Sequence, residues 1–434
     1  MKLLKSPRLR RLRFNLIIFM AVIGPGIITA NVDNDAGGIL TYSQAGAQFG
    51  FSLLWTLVPI TVALIVVQEM VARMGVVTGK GLADLIREEF GLRVTFVLMA
   101  LLLVVDFGNT VAEFAGLASG MKVLGVERDL AVPAGAFVVW ALVVRGTYRL
   151  VEKVFLIACV FYIAYPISCY LAHPDWTAAL VRTIKPSVQF NSEYFVMLLG
   201  LIGTTIAPWM QFYLQSAVVE KGIKVKNYVL SKWDVIIGCI LTDLVAFFII
   251  VACAATIYVN GHGKIRDAGE AAAALGPFAG RAASWLFAFG LVNASLFSAS
   301  ILPLATAYYV CEGLGFESGI NKGFSEAPAF YSLYTSLIVL GALTVIWLSP
   351  EKQFPVILLS QVANGILLPF VLIFMLRLIN RKDLMGEHCN TKTFNAIAWV
   401  TCGIIIALTA LSAVTNLLPG RATVSGILHW LRWS

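Results

Sequence analysis

Eleven predominantly apolar runs, each long enough to cross a bilayer, follow one another along this chain with only short polar segments between them. They occupy residues 14–48, 52–74, 94–122, 130–148, 154–172, 194–218, 234–258, 282–312, 331–348, 354–376 and 394–418. A hydrocarbon crossing needs about 20 such residues in helical form, because the bilayer core offers backbone groups no water to bond. The pattern therefore predicts an all-α integral membrane protein. Composition agrees: 59% of the 434 residues are hydrophobic and 13% are charged, with a mean hydropathy of +0.84, outside the range of soluble globular domains.

Lys and Arg flanking membrane spans collect on the cytoplasmic side. Placing the N-terminus inside puts "KLLKSPRLRRLR" and "EKGIKVKNYVLSK" there. Residues 1–13 then form a basic cytoplasmic N-terminus, and an odd number of spans leaves the C-terminus outside. The 312–330 loop supports this least, with Lys322 as its one base. The formal charge of +8 is thus assigned to topology and to contact with anionic lipid headgroups, and nucleic acid is not expected as a partner.

A cleavable leader is not expected, because cleavage after Ala30 would put the bulky Ile28 at the −3 position and the apolar run continues past it. The seven cysteines are scattered without a CxxC pair and resemble small buried apolar residues. The histidines, His173, His262, His388 and His429, fall in loops or the tail, which argues against an intramembrane histidine metal site.

Two runs are interrupted. The first contains "NVDNDAGG", where Gly37 and Gly38 each weaken a helix by about 1 kcal/mol relative to alanine and short polar side chains compete for backbone hydrogen bonds. The sixth contains "GLIGTTIAPWMQ", where Pro208 removes a backbone donor and clashes with the preceding turn. First and sixth correspond if spans one to five and six to ten are two halves of opposite orientation, and paired breaks of that kind point to the central site of a secondary transporter.

Five acids lie within the runs: Asp33, Asp35, Asp106, Glu113 and Asp243. A carboxylate at mid-bilayer costs roughly 2.5 to 3.5 kcal/mol on insertion scales, and no Lys or Arg is central enough to pair with these. Glu69, Arg73 and Arg145 sit near cytoplasmic ends. Excess buried negative charge calls for a cation, a proton or water, and points to cation transport. An aspartyl protease is disfavoured because "VVDFGN" and "LTDLVA" lack a GxGD pattern. A channel is separated from a carrier by saturable flux with alternating accessibility.

Over most of its length the chain resembles the Nramp divalent-metal transporters. The resemblance rests on "GPGIITANVDNDAGGILTYSQAGAQFGFSLLW", "QEMVARMGVVTGKGLADLIREEF" and "SQVANGILLPFVLIFMLRLINRKDLMG". It implies a LeuT-like fold: two inverted five-helix repeats, over 14–172 and 194–376, and an eleventh helix at 394–418. The family is not enzymatic and holds no cofactor.

By this resemblance Asp35 falls on the family's metal-binding aspartate, whereas Gly38 stands where a metal-binding asparagine is usual. In the sixth span Thr204 falls on the carbonyl ligand and Ala207 replaces the metal-binding methionine. These departures resemble the Nramp-related magnesium transporters. A thioether favours transition metals over Mg²⁺; Mg²⁺ sheds water reluctantly and is usually held through one or two carboxylates with waters retained. The expected site has Asp35 as anionic ligand, the Thr204 carbonyl and the Gln361 amide oxygen, with Gly38 and Ala207 making room for water. Asp33 and Asn34 are assigned to water in the second shell, or Asp33 to a solvated acid or helix cap.

The importers' coupling positions are altered. Asp106 matches the family's aspartate, but Asn109 replaces a glutamate, and Trp209 and Gln215 stand at the histidine positions. Neither side chain relays a proton as imidazole does. The expectation is a monomeric plasma-membrane carrier taking up Mg²⁺ and Mn²⁺ by alternating access without proton coupling. The alternative is a proton-coupled Mn²⁺ or Fe²⁺ importer with Met210 as the soft ligand.

Overall fold

The computed structural model describes residues 22–189, 191–261, 265 and 268–417; the basic N-terminal stretch, His262 and His429 lie outside them. Every apolar run corresponds, within the described residues, to a helix or a broken pair of helices. The first run is α1 (Pro25–Val32) and α2 (Ala36–Phe49). Next come α3 (Leu57–Thr78), a short α4 (Leu82–Phe90), α5 (Leu92–Val123) and α6 (Arg128–Arg145). The fifth run is divided into α7 (Tyr148–Phe161) and α8 (Ala164–Leu171), followed by α9 (Trp176–Ile184).

The sixth run is also divided, into α10 (Ser192–Thr205) and α11 (Pro208–Glu220). It is followed by α12 (Tyr228–Cys253), which ends in a π turn over Ala254–Tyr258, then α13 (Ala268–Ala279) and α14 (Arg281–Leu314). The chain finishes with α15 (Pro328–Trp347), α16 (Pro350–Ile379), the single turn α17 (Lys382–Met385) and α18 (Lys392–Leu417). Among the described residues, eight helical segments are long and apolar enough to span a membrane unaided, nine if the bent segment ending in α18 is counted. Helices α4, α9 and α13 were not expected; they are too short or too small in residue type to stand out from the polar connections by hydropathy.

Helix pairs set the site. α1 lies against α12 so closely that a Cβ on Gly26 would come within 2.6 Å of the Val235 backbone nitrogen, and one on Gly238 within 2.7 Å of the Gly26 carbonyl oxygen. Small residues permit such backbone approach where lipid supplies no hydrophobic force between helices. α2 packs on α12 and α10, α10 on α16, α11 on α3, and α5 on α14 and α16. At the far end of α2 a cavity of about 840 Å³ opens among Gln48, Phe49, Glu193, Ile257 and Phe278.

Candidate functional site

The first break follows from its residues. α1 closes with tight turns, Asp33 N–H to Ala30 O and Asn34 N–H to Asn31 O, both at 3.2 Å. Asp35 then takes an extended conformation (φ −72°, ψ 179°) and becomes the N-cap of α2, its Oδ1 accepting from the Gly38 N–H at 2.5 Å. A carboxylate at that position satisfies one of the helix's unpaired N–H groups and faces the positive end of the helix dipole. Glu113 of α5 adds a second acceptor, taking the Ala36 N–H at 3.2 Å.

The second break has a different cause. α10 ends at Thr205, and Ala207 (φ −73°, ψ 144°) leads into Pro208 at the first position of α11. In an unbroken helix the Thr204 carbonyl would accept from the residue four positions on, which is Pro208 and has no N–H. That carbonyl is released from the helical ladder by covalent chemistry alone. Gln211 holds the Ala207 carbonyl at 3.2 Å and accepts from Gln68 at 3.3 Å. Tyr42 of α2 is bonded to Thr205 at 2.9 Å, tying the two breaks together.

The breaks bring Asp35, Thr204 and Gln361 to one place. A Cβ on Gly38 would lie 3.3 Å from both Asp35 Oδ1 and Thr204 Oγ1, and a Cβ on Gly37 would collide with the Gln361 amide. All three side chains are buried. Gln361 presents its Nε2 to Gly37; rotating the amide by half a turn exchanges donor and acceptor without changing shape. It is the Thr204 hydroxyl that the structure brings to this cluster.

Two details differ from the sequence-based expectation. Gly38 does not open a space for water, since the position of its missing Cβ is taken by the Asp33 carbonyl oxygen. Asp33 is not solvated: it is 2% exposed, it closes α1 as the C-cap residue through its backbone, and neither carboxylate oxygen has a hydrogen-bond partner. Asn34 is fixed by its own bonds, donating to the Thr242 carbonyl at 3.1 Å and hydroxyl at 2.6 Å, while its carbonyl accepts from Tyr162 at 3.2 Å. Among the described residues, no three His, Cys, Asp or Glu side chains stand close enough to hold a metal ion by themselves. An ion here would need hydroxyl, amide, carbonyl or water oxygens beside its carboxylate.

Of the positions expected by resemblance to matter for coupling, Asp106 and Asn109 lie in one polar network and Trp209 and Gln215 lie outside its hydrogen bonds. Asp106 accepts from Asn109 at 3.0 Å, Tyr309 at 3.0 Å and Thr306 at 3.2 Å. Asn109 in turn accepts from Asn364 at 3.2 Å. Trp209 is buried against Tyr213, and Gln215 donates to the Lys80 carbonyl at 2.8 Å. Met210 is buried, and its N–H bonds the Ala207 carbonyl at 3.3 Å.

Sequence reasoning missed Asp234. Its carboxylate accepts from the N–H groups of Gly24 at 3.0 Å, Gly26 at 2.7 Å and Ile27 at 3.3 Å, capping α1 from α12. Lys221 reaches the same end, donating to the Ile23 carbonyl at 2.6 Å and pairing with Glu152 at 2.7 Å. An acid at the start of an apolar run reads as interfacial, so only the approach of α12 to α1 reveals this contact.

Comparison with known proteins follows the same lines. The family pattern described as Nramp, natural resistance-associated macrophage protein-like, matches residues 26–415. A protein named divalent metal cation transporter MntH from Klebsiella pneumoniae (strain 342) is 26% identical over 408 residues, covering 92% of this chain and 95% of that protein. Its namesake from Yersinia pestis (strain Pestoides F) is 28% identical over 400 residues, covering 91% and 94%.

Among solved structures, the manganese transporter of Eremococcus coleocola, in complex with an aromatic bis-isothiourea substituted compound, superposes with a TM-score of 0.75. It is 21% identical and covers 96% of this chain and 91% of its own. Mhp1, a nucleobase-cation-symport-1 family transporter, superposes with a TM-score of 0.57 at 14% identity, covering 94% and 92%. These likenesses establish an all-α membrane-transporter architecture of the LeuT type.

Proposed function

The chain belongs to the Nramp family, and from that premise we propose that it carries a divalent metal ion, Mg²⁺ as well as Mn²⁺, through the plasma membrane by alternating access. Asp35 is the anionic ligand; Thr204 contributes oxygen from its carbonyl or hydroxyl, and Gln361 its amide oxygen, directly or through water. The two inverted repeats occupy 14–172 and 194–376, with the last helix at 394–418, the N-terminus cytoplasmic and the C-terminus outside. The carrier works as a monomer.

The observation that carries this reading is the donor set at the paired breaks. One carboxylate, a hydroxyl and an amide lie close together there, the Thr204 carbonyl loses its helical partner to Pro208, and by resemblance Ala207 falls at the position at which the family has a thioether. Oxygen donors suit a hard ion, and a single carboxylate suits one that keeps water. Uptake needs no proton gradient: two charges moving down 100 mV gain roughly 4.6 kcal/mol, or about three decades of concentration.

A second reading, a proton-coupled Mn²⁺ or Fe²⁺ importer, draws support from the relatives' names, which specify manganese or divalent metals. Calorimetric titration of Mn²⁺ into the purified protein tests the site itself. Asp35→Ala is expected to lose a binding event that the unaltered protein shows, and an unchanged titration would remove Asp35 from the assignment.

A further inference from the structure

The Asp33 and Asp243 carboxylates take no part in the hydrogen bonds of the site described above. Asp33 is 2% and Asp243 5% exposed, and all four of their carboxylate oxygens lack a hydrogen-bond partner, as does Asn34 Oδ1. A direct link joins their chain neighbours, since Asn34 donates to both the carbonyl and the hydroxyl of Thr242, and this holds both acids at the crossing of the first break with α12. Asp33 lies within electrostatic range of both Asp35 and Asp243, and Asp33 and Asp243 both lie in range of Tyr42 and of Cys239, one turn before Asp243 on α12. The Thr61 hydroxyl sits beside Asp243 but donates to the Leu57 carbonyl at 2.8 Å.

Buried polar groups are nearly always satisfied, so a cluster of unpartnered acceptors in one place calls for a specific occupant. All five atoms accept and none donates, which excludes an anion. No hydrogen bond joins the two carboxylates, so they are not a pair sharing a proton. Their combined charge matches that of one divalent ion, and two carboxylates with retained water are a usual way of holding Mg²⁺.

We propose that Asp33 and Asp243, with the Asn34 amide oxygen, hold a second divalent cation through its water shell, next to the ion at Asp35. This rests on the metal-transport reading and adds a second station to it. A hydrated ion there would let the Asp35 ion be displaced by its neighbour's charge, as occurs where binding must be strong enough for capture yet weak enough for release.

Equilibrium dialysis of the purified full chain against radioactive Mn²⁺ tests it by counting ions per chain at saturation. The unaltered protein is expected to hold two; the isosteric double variant Asp33→Asn, Asp243→Asn and the single variant Asp35→Asn are each expected to hold one. An unaltered protein that saturates at one ion, kept in the double variant and lost in Asp35→Asn, overturns the second station and leaves the transport reading standing. An unaltered protein that saturates at one ion, with that ion kept in Asp35→Asn, overturns both. Should the double variant not fold, Mn²⁺ anomalous scattering from crystals of the unaltered protein decides: a peak beside Asp243 in addition to one beside Asp35 is expected, and a lone peak at Asp35 overturns the proposal.

Discussion

Asp35 accepts the Gly38 N–H at 2.5 Å while the carbonyl oxygen of Asp33 fills the space that a side chain on Gly38 would need. The first break is therefore held by a cap and by a close backbone approach together. Gly38→Ala forces the Asp33 carbonyl away, and overpacking of this kind costs about 1 to 3 kcal/mol. The expected outcome is a lower melting temperature in detergent and at least a tenfold weaker Mn²⁺ affinity by calorimetry, since 1.4 kcal/mol is a factor of about ten. A variant with unaltered affinity would show that the break tolerates a larger residue.

The crossing of α1 over α12 gives a second prediction. Gly26 and Gly238 face each other at backbone distance, and neither helix can accommodate a branched side chain there. Gly238→Val is expected to lower thermal stability more than Gly79→Val does, because a Cβ on Gly79 meets nothing within 4 Å and bears only the strain of its φ of +64°. Thermal unfolding of both variants in the same detergent compares them directly.

Asp234 predicts a local effect. Its carboxylate takes three N–H groups at the start of α1, and removing a capping acid costs about 0.5 to 2 kcal/mol. In Asp234→Ala the Gly26 and Ile27 amides are expected to exchange hydrogen roughly 2- to 30-fold faster, with little change at the centre of α14. Equal protection in both proteins would mean that Lys221 and Glu152 hold that end without Asp234.

The Asp106 network predicts indifference to protons. The Asp106 carboxylate accepts from the Asn109 amide, which in turn accepts from the Asn364 amide, and an amide takes up no proton in the physiological range to hand onward. Metal uptake into proteoliposomes is expected to leave a trapped pH dye unchanged. Metal-driven acidification would reinstate this network as a proton path.

Much of the architecture was legible because hydrocarbon imposes length and polarity so strictly: the apolar runs and both breaks fall on helices and helix ends. Pro208 also announced its own consequence, since a missing N–H is a covalent fact. What could not be read was set by contacts between distant segments. Glu113 meets the Ala36 N–H, Asp234 meets Gly26, and Asn34 meets Thr242, each across many residues of chain. Gly38 illustrates the difference: its small size was legible, but only the fold shows that the vacated volume goes to the Asp33 carbonyl.

Direct measurement of Mg²⁺ entry tests the central claim. Proteoliposomes containing a Mg²⁺-sensitive dye, with equal pH on both sides and an imposed inside-negative potential, are expected to show saturable Mg²⁺ uptake that is lost in Asp35→Ala. Absence of Mg²⁺ uptake, with Mn²⁺ entering unhindered by millimolar Mg²⁺, would contradict the account and favour a transition-metal importer.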